Sequence, residues 1–246
     1  MSKSSGLIIG RQPVLEALKD GRPMERIYIQ KNAAGDIIPE IKQTAVRLQV
    51  PVNLVPTEKL MSLSRGNHQG VVAVSSLVNY YELQDVIDQC FANAEVPLFL
   101  ILDGVTDIRN IGGIARTAVV CGAQAIIIPD RGVGALNEEA LKASAGALEK
   151  IKVSRVSSLL KAVDSLHLSG IKVYSSDLTG EENLTSVDFK EPCAIIIGSE
   201  DKGVQPYMSK AADIRFKIPM KGKFDSLNVS VATGIILFEA MKQRGI

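Results

Sequence analysis

Apolar residues in the N-terminal part of the chain recur alternately at helix and strand spacing. Val14, Leu15 and Leu18 fall on one helical face, whereas the segment from Arg26 to Gln30 alternates with the two-residue period of a half-buried strand. The predicted elements of this part are a turn and short helix over 6–20, strands near 26–30, 52–55 and 70–74, a helix over 37–48 and a short helix from Thr57. Such an alternation predicts a small α/β domain, which we place at residues 1–76.

The pattern changes after this domain. Residues 77–95 have the spacing of an amphipathic helix and are interpreted as a linker that contains a helix. Residues 96–246 then alternate strands and helices. The predicted strands lie near 98–103, 124–129, 152–156, 171–175, 193–198 and 214–219, and the helices near 111–121, 137–146, 157–168, 205–211 and 227–243. This alternation predicts a mostly parallel sheet with helices on both faces.

The last predicted helix is apolar almost all round, from Val229 to Met241. A helix with no polar face is typical of a buried position, so we expect this helix to be buried, with a subunit interface as one way to bury it.

Composition and charge exclude some classes of protein without choosing among the rest. The net charge of +1 neither supports nor excludes nucleic-acid binding, and 4% aromatic residues without Trp argue against a wide base-stacking platform. Three cysteines and two distant histidines lack metal-site spacing, so no metal is expected. The odd cysteine count without a secretory signal favours the cytoplasm, and no apolar run is long enough to span a membrane.

Three polar or glycine-rich segments follow predicted strands. They are Asn110–Arg116, Gly198–Gly203 and Ile218–Ser230. Because ligands of open α/β sheets bind at the carboxyl ends of the strands, these segments are candidates for one shared pocket. Each also has an ordinary structural interpretation: Asn110 as a helix N-cap with Arg116 as a solvated charge, a charged turn with glycines, and Ser226 or Asn228 as a helix cap.

The functional interpretation assigns ligand contacts to the same segments. Gly112 and Gly113 would let a ligand approach the backbone closely, and Arg116 near a helix start suits a phosphate. The backbone between Gly198 and Gly203 could meet an adenosyl group, and Glu200 could hold a hydroxyl group or favour a cationic sulfonium. Further candidates for RNA contact are Lys221, Lys223 and His68.

Taken together, the three segments resemble the motifs of the SpoU/TrmH branch of the SPOUT methyltransferases. The matching residues are Asn110, Gly112 and Arg116 in the first motif, Gly198, Glu200 and Gly203 in the second, and Ile218–Met220 with Ser226–Ser230 in the third. Gly10–Leu18 and His68–Val71 resemble the substrate-binding domain of one subgroup, which includes enzymes that methylate a guanosine 2′-oxygen of 23S ribosomal RNA. The subgroup also has tRNA-directed members.

This resemblance implies a fold, a cofactor and partners. The fold would be α/β, with an N-terminal RNA-binding domain and a C-terminal domain, at residues 96–246, whose chain forms a deep trefoil knot. The cofactor would be S-adenosylmethionine, and the partners would be RNA and a second copy of the chain, both subunits contributing to each site. The implied catalytic residues are Asn110, Arg116, Glu200, Ser226 and Asn228, and the cofactor-binding residues are Ile197, Gly198, Gly203, Ile218, Met220 and Leu227.

The chemistry of Arg116 decides how the acceptor hydroxyl loses its proton. The family assigns proton removal to this arginine, but a guanidinium group stays protonated in proteins. We therefore expect Arg116 to hold phosphate and stabilise the developing alkoxide, while Asn110 and Ser226 orient the ribose and the proton leaves through phosphate or water. A non-catalytic RNA-binding protein and a small-molecule enzyme with a nucleotide cofactor are the alternative functions.

Overall fold

A computed structural model describes residues 6–133, 136–221 and 226–245 of this chain. The chain divides into two compact units, of which the first comprises residues 6–79 and 136–138 of the described chain and the second comprises residues 80–133 and 139–245. No helix among these residues is both long and apolar enough to cross a membrane.

The first unit is a four-stranded mixed sheet with helices. Its elements are β1 (Leu7–Ile9), α1 (Arg11–Lys19), β2 (Met24–Gln30), α2 (Ile37–Arg47), β3 (Val52–Val55), α3 (Thr57–Leu63) and β4 (Val71–Ser75). The strand order is β1-β4-β2-β3, with only the β2–β3 pair parallel. The apolar faces of α1 and α2 pack with β2 and β4 in one core, which explains the helical spacing of Val14, Leu15 and Leu18.

Strand β1 corrects the sequence prediction for residues 6–20. The pattern there predicts a turn and a helix, whereas Leu7–Ile9 is an edge strand that pairs antiparallel with Val72–Val74. Three apolar residues are too few to show a two-residue period, and the pairing joins segments more than sixty residues apart. The helix itself begins at Arg11.

The second unit is a seven-stranded sheet in which all the described strand pairs are parallel. Its strands are β5 (Leu98–Asp103), β6 (Ala125–Pro129), β7 (Lys152–Val156), β8 (Lys172–Ser176), β9 (Glu182–Asn183), β10 (Cys193–Gly198) and β11 (Ile214–Lys217). Its helices are α4 (Leu83–Ala92), α5 (Ile108–Val120), α6 (Glu138–Ala143), α7 (Leu159–Leu168), α8 (Pro206–Ala211) and α9 (Val229–Gln243). Every residue of β5 is buried, as expected for a strand covered on both faces.

The strand order β7-β6-β5-β10-β8-β11-β9 places a topological switch point between β5 and β10. After β5 the chain forms β6 and β7 on one side of it. The later strands β8 to β11 form the other side of the sheet. Asp103 and Gly198, the last residues of these two strands, lie opposite each other in register. A switch point leaves a crevice beyond the strand ends, so ligands of such sheets bind there.

The structure bears on the predictions for the segment 77–95 and for the burial of α9. Helix α4, in the segment interpreted as a linker, buries Leu83, Val86 and Ile87 in the core of this unit. The apolar pattern of α9 predicts burial, but Val231 and Phe238 are 52% and 59% exposed in the single chain. The assignment of residues 77–95 as a linker and the trefoil knot stay predictions.

Candidate active site

The first candidate segment forms the loop after β5 and the start of α5. Asp107 caps this helix, because its Oδ1 accepts a hydrogen bond of 2.8 Å from the backbone N–H of Arg109. The structural interpretation of Asn110 as the N-cap is therefore wrong, and the helix begins three residues earlier than expected. Asn110 lies in the first turn, whereas Arg116 lies in the third turn, with its side chain exposed.

The two glycines of this segment differ in how closely neighbouring atoms approach them. A Cβ atom on Gly112 would lie 2.7 Å from the Cβ atom of Ala143 and 2.9 Å from the backbone nitrogen of Ser144, so the absence of a side chain lets α5 pack against the end of α6. The expectation that Gly112 admits a ligand is corrected, since protein atoms fill the space beside it. A Cβ atom on Gly113 would lie 3.4 Å from that of Ser230, an ordinary contact, so for Gly113 the expectation stays a prediction.

The second segment is a loop after β10 that closes on itself. The backbone N–H of Ser199 donates to the carbonyl oxygen of Gly203 at 3.1 Å, and the N–H of Gly203 donates back to Ser199 at 2.9 Å. A Cβ atom on Gly198 would lie 2.0 Å from the carbonyl carbon of Gly203, a distance no side chain can adopt. Gly203 itself has φ of +64°, in the left-handed region that glycine tolerates best. Both glycines thus fix the shape of this loop.

The third segment leads from β11 into α9. Asn228 caps α9, since its Oδ1 accepts from the backbone N–H groups of Ser230 at 3.0 Å and Val231 at 3.4 Å. It also accepts from the Ser230 hydroxyl at 2.6 Å. Asn228 as a helix cap is therefore confirmed. Lys223 lies outside the described residues.

Glu200 joins the three segments. Its Oε1 accepts a hydrogen bond of 3.0 Å from Asn110 Nδ2, a shorter one from Asn228 Nδ2, and a long one of 3.4 Å from the backbone N–H of Val229 at the start of α9. Asn228 Nδ2 also donates to Asn110 Oδ1 at 3.2 Å. The sequence separations are 90, 28 and 118 residues, so this contact depends on the tertiary fold. Among the described residues, no hydrogen bond uses Glu200 Oε2.

A cleft of about 440 Å³ lies beside Glu200, and we call it the first cleft. All six residues that the sequence assigned to cofactor binding line this cleft: Ile197, Gly198, Gly203, Ile218, Met220 and Leu227. Ser226 and Glu200 also line it. Its volume is in the range of about 300–1,000 Å³ that is common for pockets of small organic ligands.

The sequence reasoning missed one wall of the first cleft. Ser176, the last residue of β8, and Asp177, Leu178 and Thr179 in the loop after it line the cleft. Asp177 holds this loop, because its Oδ1 accepts from the backbone N–H and the hydroxyl of Thr179, both at 2.9 Å, and its Oδ2 accepts from the Ser209 hydroxyl at 2.8 Å. The sequence did contain a signal for this wall. Polar residues follow the buried strand β8, as they follow the strands before the other segments.

Hydrogen bonding outweighs burial in setting the pKa of Asp177. Burial alone would raise this pKa, but the hydrogen bonds from Thr179 and Ser209, together with the nearby charge of Arg215, hold it below its ordinary value. The carboxylate form of Asp177 therefore holds the loop over the physiological pH range.

A second cleft, of about 340 Å³, adjoins the first. Five residues line both clefts: Ser199, Glu200, Asp201, Lys202 and Val229. The other wall of the second cleft comes from the β5–α5 loop and the first turn of α5, including Thr106, Asp107 and Asn110. Of the candidate catalytic residues, Glu200 thus lies on the wall that the two clefts share, and Asn110, which donates to Glu200, lines the second cleft.

Two candidate residues lie elsewhere. Arg116 lines neither cleft of the single chain. His68, in the first unit, accepts a hydrogen bond of 3.0 Å from the backbone N–H of Gly70 through Nδ1, which is the structural turn contact. Among the described residues, no cluster of three or more His, Cys, Asp or Glu side chains is placed to hold a metal ion.

The residues of the first cleft fit S-adenosylmethionine. Ile197, Ile218 and Leu227 supply an apolar surface for an adenine ring, and the carboxylates of Asp177 and Glu200 suit the amino group, the sulfonium charge or the ribose hydroxyls. The glycine-shaped loop after β10 exposes backbone groups at the same cleft.

Comparisons with known proteins agree with this geometry. The family model described as SpoU rRNA Methylase family matches residues 97–238, and the model described as RNA 2′-O ribose methyltransferase substrate binding matches residues 7–81. A Bacillus subtilis (strain 168) protein, YacO, whose name places it among TrmH family tRNA/rRNA methyltransferases, is 36% identical over 99% of this chain and 98% of its own.

Solved structures are similar over nearly the whole chain. The AdoMet-bound rRNA methyltransferase from Sinorhizobium meliloti has 26% identity and a TM-score of 0.59, and the match covers 97% of this chain and 87% of that one. The SpoU methyltransferase AviRb from Streptomyces viridochromogenes has 24% identity and a TM-score of 0.62, over 98% and 90% of the two chains, which shows a likeness of fold.

Proposed function

The chain belongs to the SpoU methyltransferase family, and on that basis we propose that it methylates the ribose 2′-hydroxyl of a guanosine in 23S ribosomal RNA. Membership makes the chain an RNA 2′-O-ribose methyltransferase that depends on S-adenosylmethionine. The choice of a 23S guanosine is supported by the resemblance of Gly10–Leu18 and His68–Val71 to one subgroup. A tRNA substrate is the second candidate, because the name of the Bacillus subtilis relative includes both kinds of RNA.

The observation that carries the proposal is the meeting, at Glu200, of the three segments that follow β5, β10 and β11, beside two clefts. One cleft holds the residues expected to bind the methyl donor, and the other is open to an acceptor. Transfer between two bound reactants needs the reacting atoms within about 3–3.5 Å in a fixed orientation. Two clefts with a common wall provide this proximity.

S-adenosylmethionine supplies a sulfonium methyl group, which the ribose 2′-oxygen takes as the C–S bond breaks, with release of S-adenosylhomocysteine and one proton. The chain contributes position and charge. Glu200 Oε2 is available for a hydrogen bond from a ligand, since Oε1 accepts the bonds from Asn110, Asn228 and Val229. Asn110 and Ser226 orient the ribose. Asn228 is a positioning residue, because both ends of its amide are bonded within the protein.

Arg116 reaches a site through a second subunit in this proposal. It lies on an exposed strip of α5, one turn before Val120, which is 73% exposed. Helix α5 packs against α9, whose apolar residues Val231, Ile235 and Phe238 are exposed at helical spacing. An exposed apolar stripe of this kind is typical of a subunit interface. A homodimer that buries this stripe would carry Arg116 toward the partner's acceptor phosphate.

Mixed dimers test the position of Arg116. Arg116→Ala and Glu200→Ala should each abolish most activity alone, whereas the isolated heterodimer of the two variants should recover one of its two sites if Arg116 acts across the interface. No recovery in isolated heterodimers would place Arg116 in its own subunit's site. A monomeric wild-type protein in sedimentation would overturn the dimer.

Ribose-methylation mapping tests the substrate. RNA from a deletion strain and from the same strain with the gene restored is cleaved in alkali. Positions where the deletion removes the protection that 2′-O-methylation gives against cleavage are identified by sequencing. Loss at one guanosine of 23S RNA is the expected result, and loss confined to tRNA would favour the second candidate. Unchanged protection with retained RNA binding would favour a non-catalytic RNA-binding protein. Fractionation of the strain that carries the gene tests the expected cytoplasmic location.

A further inference from the structure

The second cleft has a property that the proposed function does not explain, namely its charge. Three carboxylate side chains, Asp107, Glu200 and Asp201, line it with one ammonium group, Lys202. Like charges repel at close range, so this cleft disfavours a phosphodiester group within it. It favours neutral groups that donate hydrogen bonds, such as ribose hydroxyls and the N–H groups of a base.

The three carboxylates differ in how far the protein already uses them. Glu200 Oε1 accepts from Asn110, Asn228 and Val229. Asp107 Oδ1 caps α5 and lies 3.7 Å from Arg109 Nε. No hydrogen bond or ion pair joins the Asp201 carboxylate to another residue of the described chain, and Asp201 is exposed at the wall shared by both clefts. Asp201 is therefore the acidic group most available to a ligand of the second cleft.

The size of the second cleft limits what can enter it. A volume of about 340 Å³ is at the lower end of the range for small-molecule pockets, which suits one nucleoside. A base-paired nucleotide cannot enter alone, so the acceptor must be unpaired or turned out of its helix before it binds. An extruded base is then read along its Watson–Crick edge.

Guanine matches a free carboxylate better than the other bases do. Its Watson–Crick edge presents two adjacent donors, N1–H and the 2-amino group, and a carboxylate has two oxygens that can accept both. We infer that the second cleft holds the acceptor guanosine as a single unpaired nucleoside and that the Asp201 carboxylate accepts hydrogen bonds from N1–H and the 2-amino group of guanine. This inference rests on the proposed function, since it assigns the base specificity of the same site.

The experiment compares guanosine with inosine, which lacks the 2-amino group. RNA hairpins carry either nucleoside at the position found by ribose-methylation mapping, and methyl transfer from tritiated S-adenosylmethionine gives kcat/KM. The wild-type chain should prefer guanosine by about tenfold, the value of one charge-assisted hydrogen bond. Asp201→Asn should lose most of this preference by lowering the guanosine rate. Asp164→Asn, an exposed α7 residue outside both clefts, is the matched control.

Cofactor binding separates this inference from the proposed function. Calorimetry should give the same S-adenosylmethionine affinity for Asp201→Asn as for the wild-type chain. An unchanged guanosine preference in Asp201→Asn, or a loss of cofactor affinity, would overturn the role of Asp201. A wild-type chain that transfers no methyl group to any RNA would instead overturn the proposed function.

Discussion

Replacement of Gly198 by alanine tests whether the loop after β10 shapes the first cleft. The new Cβ atom would lie 2.0 Å from the carbonyl carbon of Gly203 and 2.1 Å from the backbone nitrogen of Val204, whereas ordinary contact begins near 3.4 Å. Backbone atoms cannot rotate away as a flexible side chain can. The loop must therefore shift by about 1 Å or more before the contact becomes tolerable.

A shift of that size has a large expected effect on transfer. Misplacement of a reacting group by about 1 Å can lower the rate about 100-fold, so kcat/KM for Gly198→Ala should fall by roughly that factor. Calorimetry with S-adenosylmethionine and methyl transfer to 23S transcripts measure the two consequences. Circular dichroism shows whether the sheet remains folded. Cofactor affinity and kcat/KM within about threefold of the wild-type values would refute the reasoning.

Gly203→Ala is the matched control in the same loop. Gly203 has a left-handed φ of +64°, but no neighbouring atom lies within 4 Å of the place that a Cβ atom would take there, so alanine adds strain without a collision. A left-handed alanine costs about 1–2 kcal/mol. The control should thus lower stability and leave cofactor affinity closer to the wild-type value than Gly198→Ala does. Equal losses in both variants would mean that backbone strain, not the close approach, sets the effect.

Three other changes test the site and its support. Glu200→Ala removes two strong hydrogen bonds, worth about 1.5 kcal/mol each, and should lower kcat/KM in methyl-transfer assays roughly 100-fold. Arg244→Lys should lower the Tm by about 5–10 °C in thermal melts, because the guanidinium group donates to backbone carbonyls before both β5 and β10 and an ammonium group cannot reach them all. Burial raises the pKa of Asp103 above its ordinary value and outweighs the hydrogen bond from the Gln205 N–H, which lowers it. The protonated form therefore stabilises the fold at low pH, and this stability is lost as pH rises through the raised pKa. Asp103→Asn should therefore gain stability relative to the wild-type chain between acidic and neutral pH in denaturant titrations.

Each of these has a control and a contradicting result. Glu200→Gln keeps an acceptor oxygen and should recover part of the activity, and an equal loss in both variants would show that the negative charge matters more than the hydrogen bonds. Lys242→Ala changes an exposed residue of the same helix end and should leave the Tm nearly unchanged. A stability difference for Asp103→Asn that does not vary with pH would contradict the role of ionisation there.

The sequence predicted the second unit well because its signals were strong and local. The apolar runs at 98–103 and 193–198 are doubly buried strands, and the polar segments after them lie at the site. It predicted less well where a short segment depends on a distant partner. Leu7–Ile9 carries too few residues to reveal a period, and its strand exists through pairing with β4.

The start of α5 shows a different limit. Asp107 and Asn110 are both common N-cap residues, and the sequence does not separate them. The structure chooses Asp107, whose carboxylate accepts the Arg109 N–H. The earlier start moves Arg116 into the third turn. The tight contact of Gly112 with Ala143 could not be predicted either, because it depends on how α6 packs.

The hydrogen bonds that each motif residue makes within the protein decide which role it can have toward a ligand. Asn228 is bonded at both ends of its amide, to the start of α9 and to Asn110 and Glu200, so it can act on a ligand only by holding those two residues. Glu200 has one oxygen bonded within the protein and one available at the meeting of the clefts. Asp201, its neighbour, has both oxygens available. Asp201 can therefore accept hydrogen bonds from a ligand without breaking a bond within the described part of the protein, which is why the base contact is assigned to it.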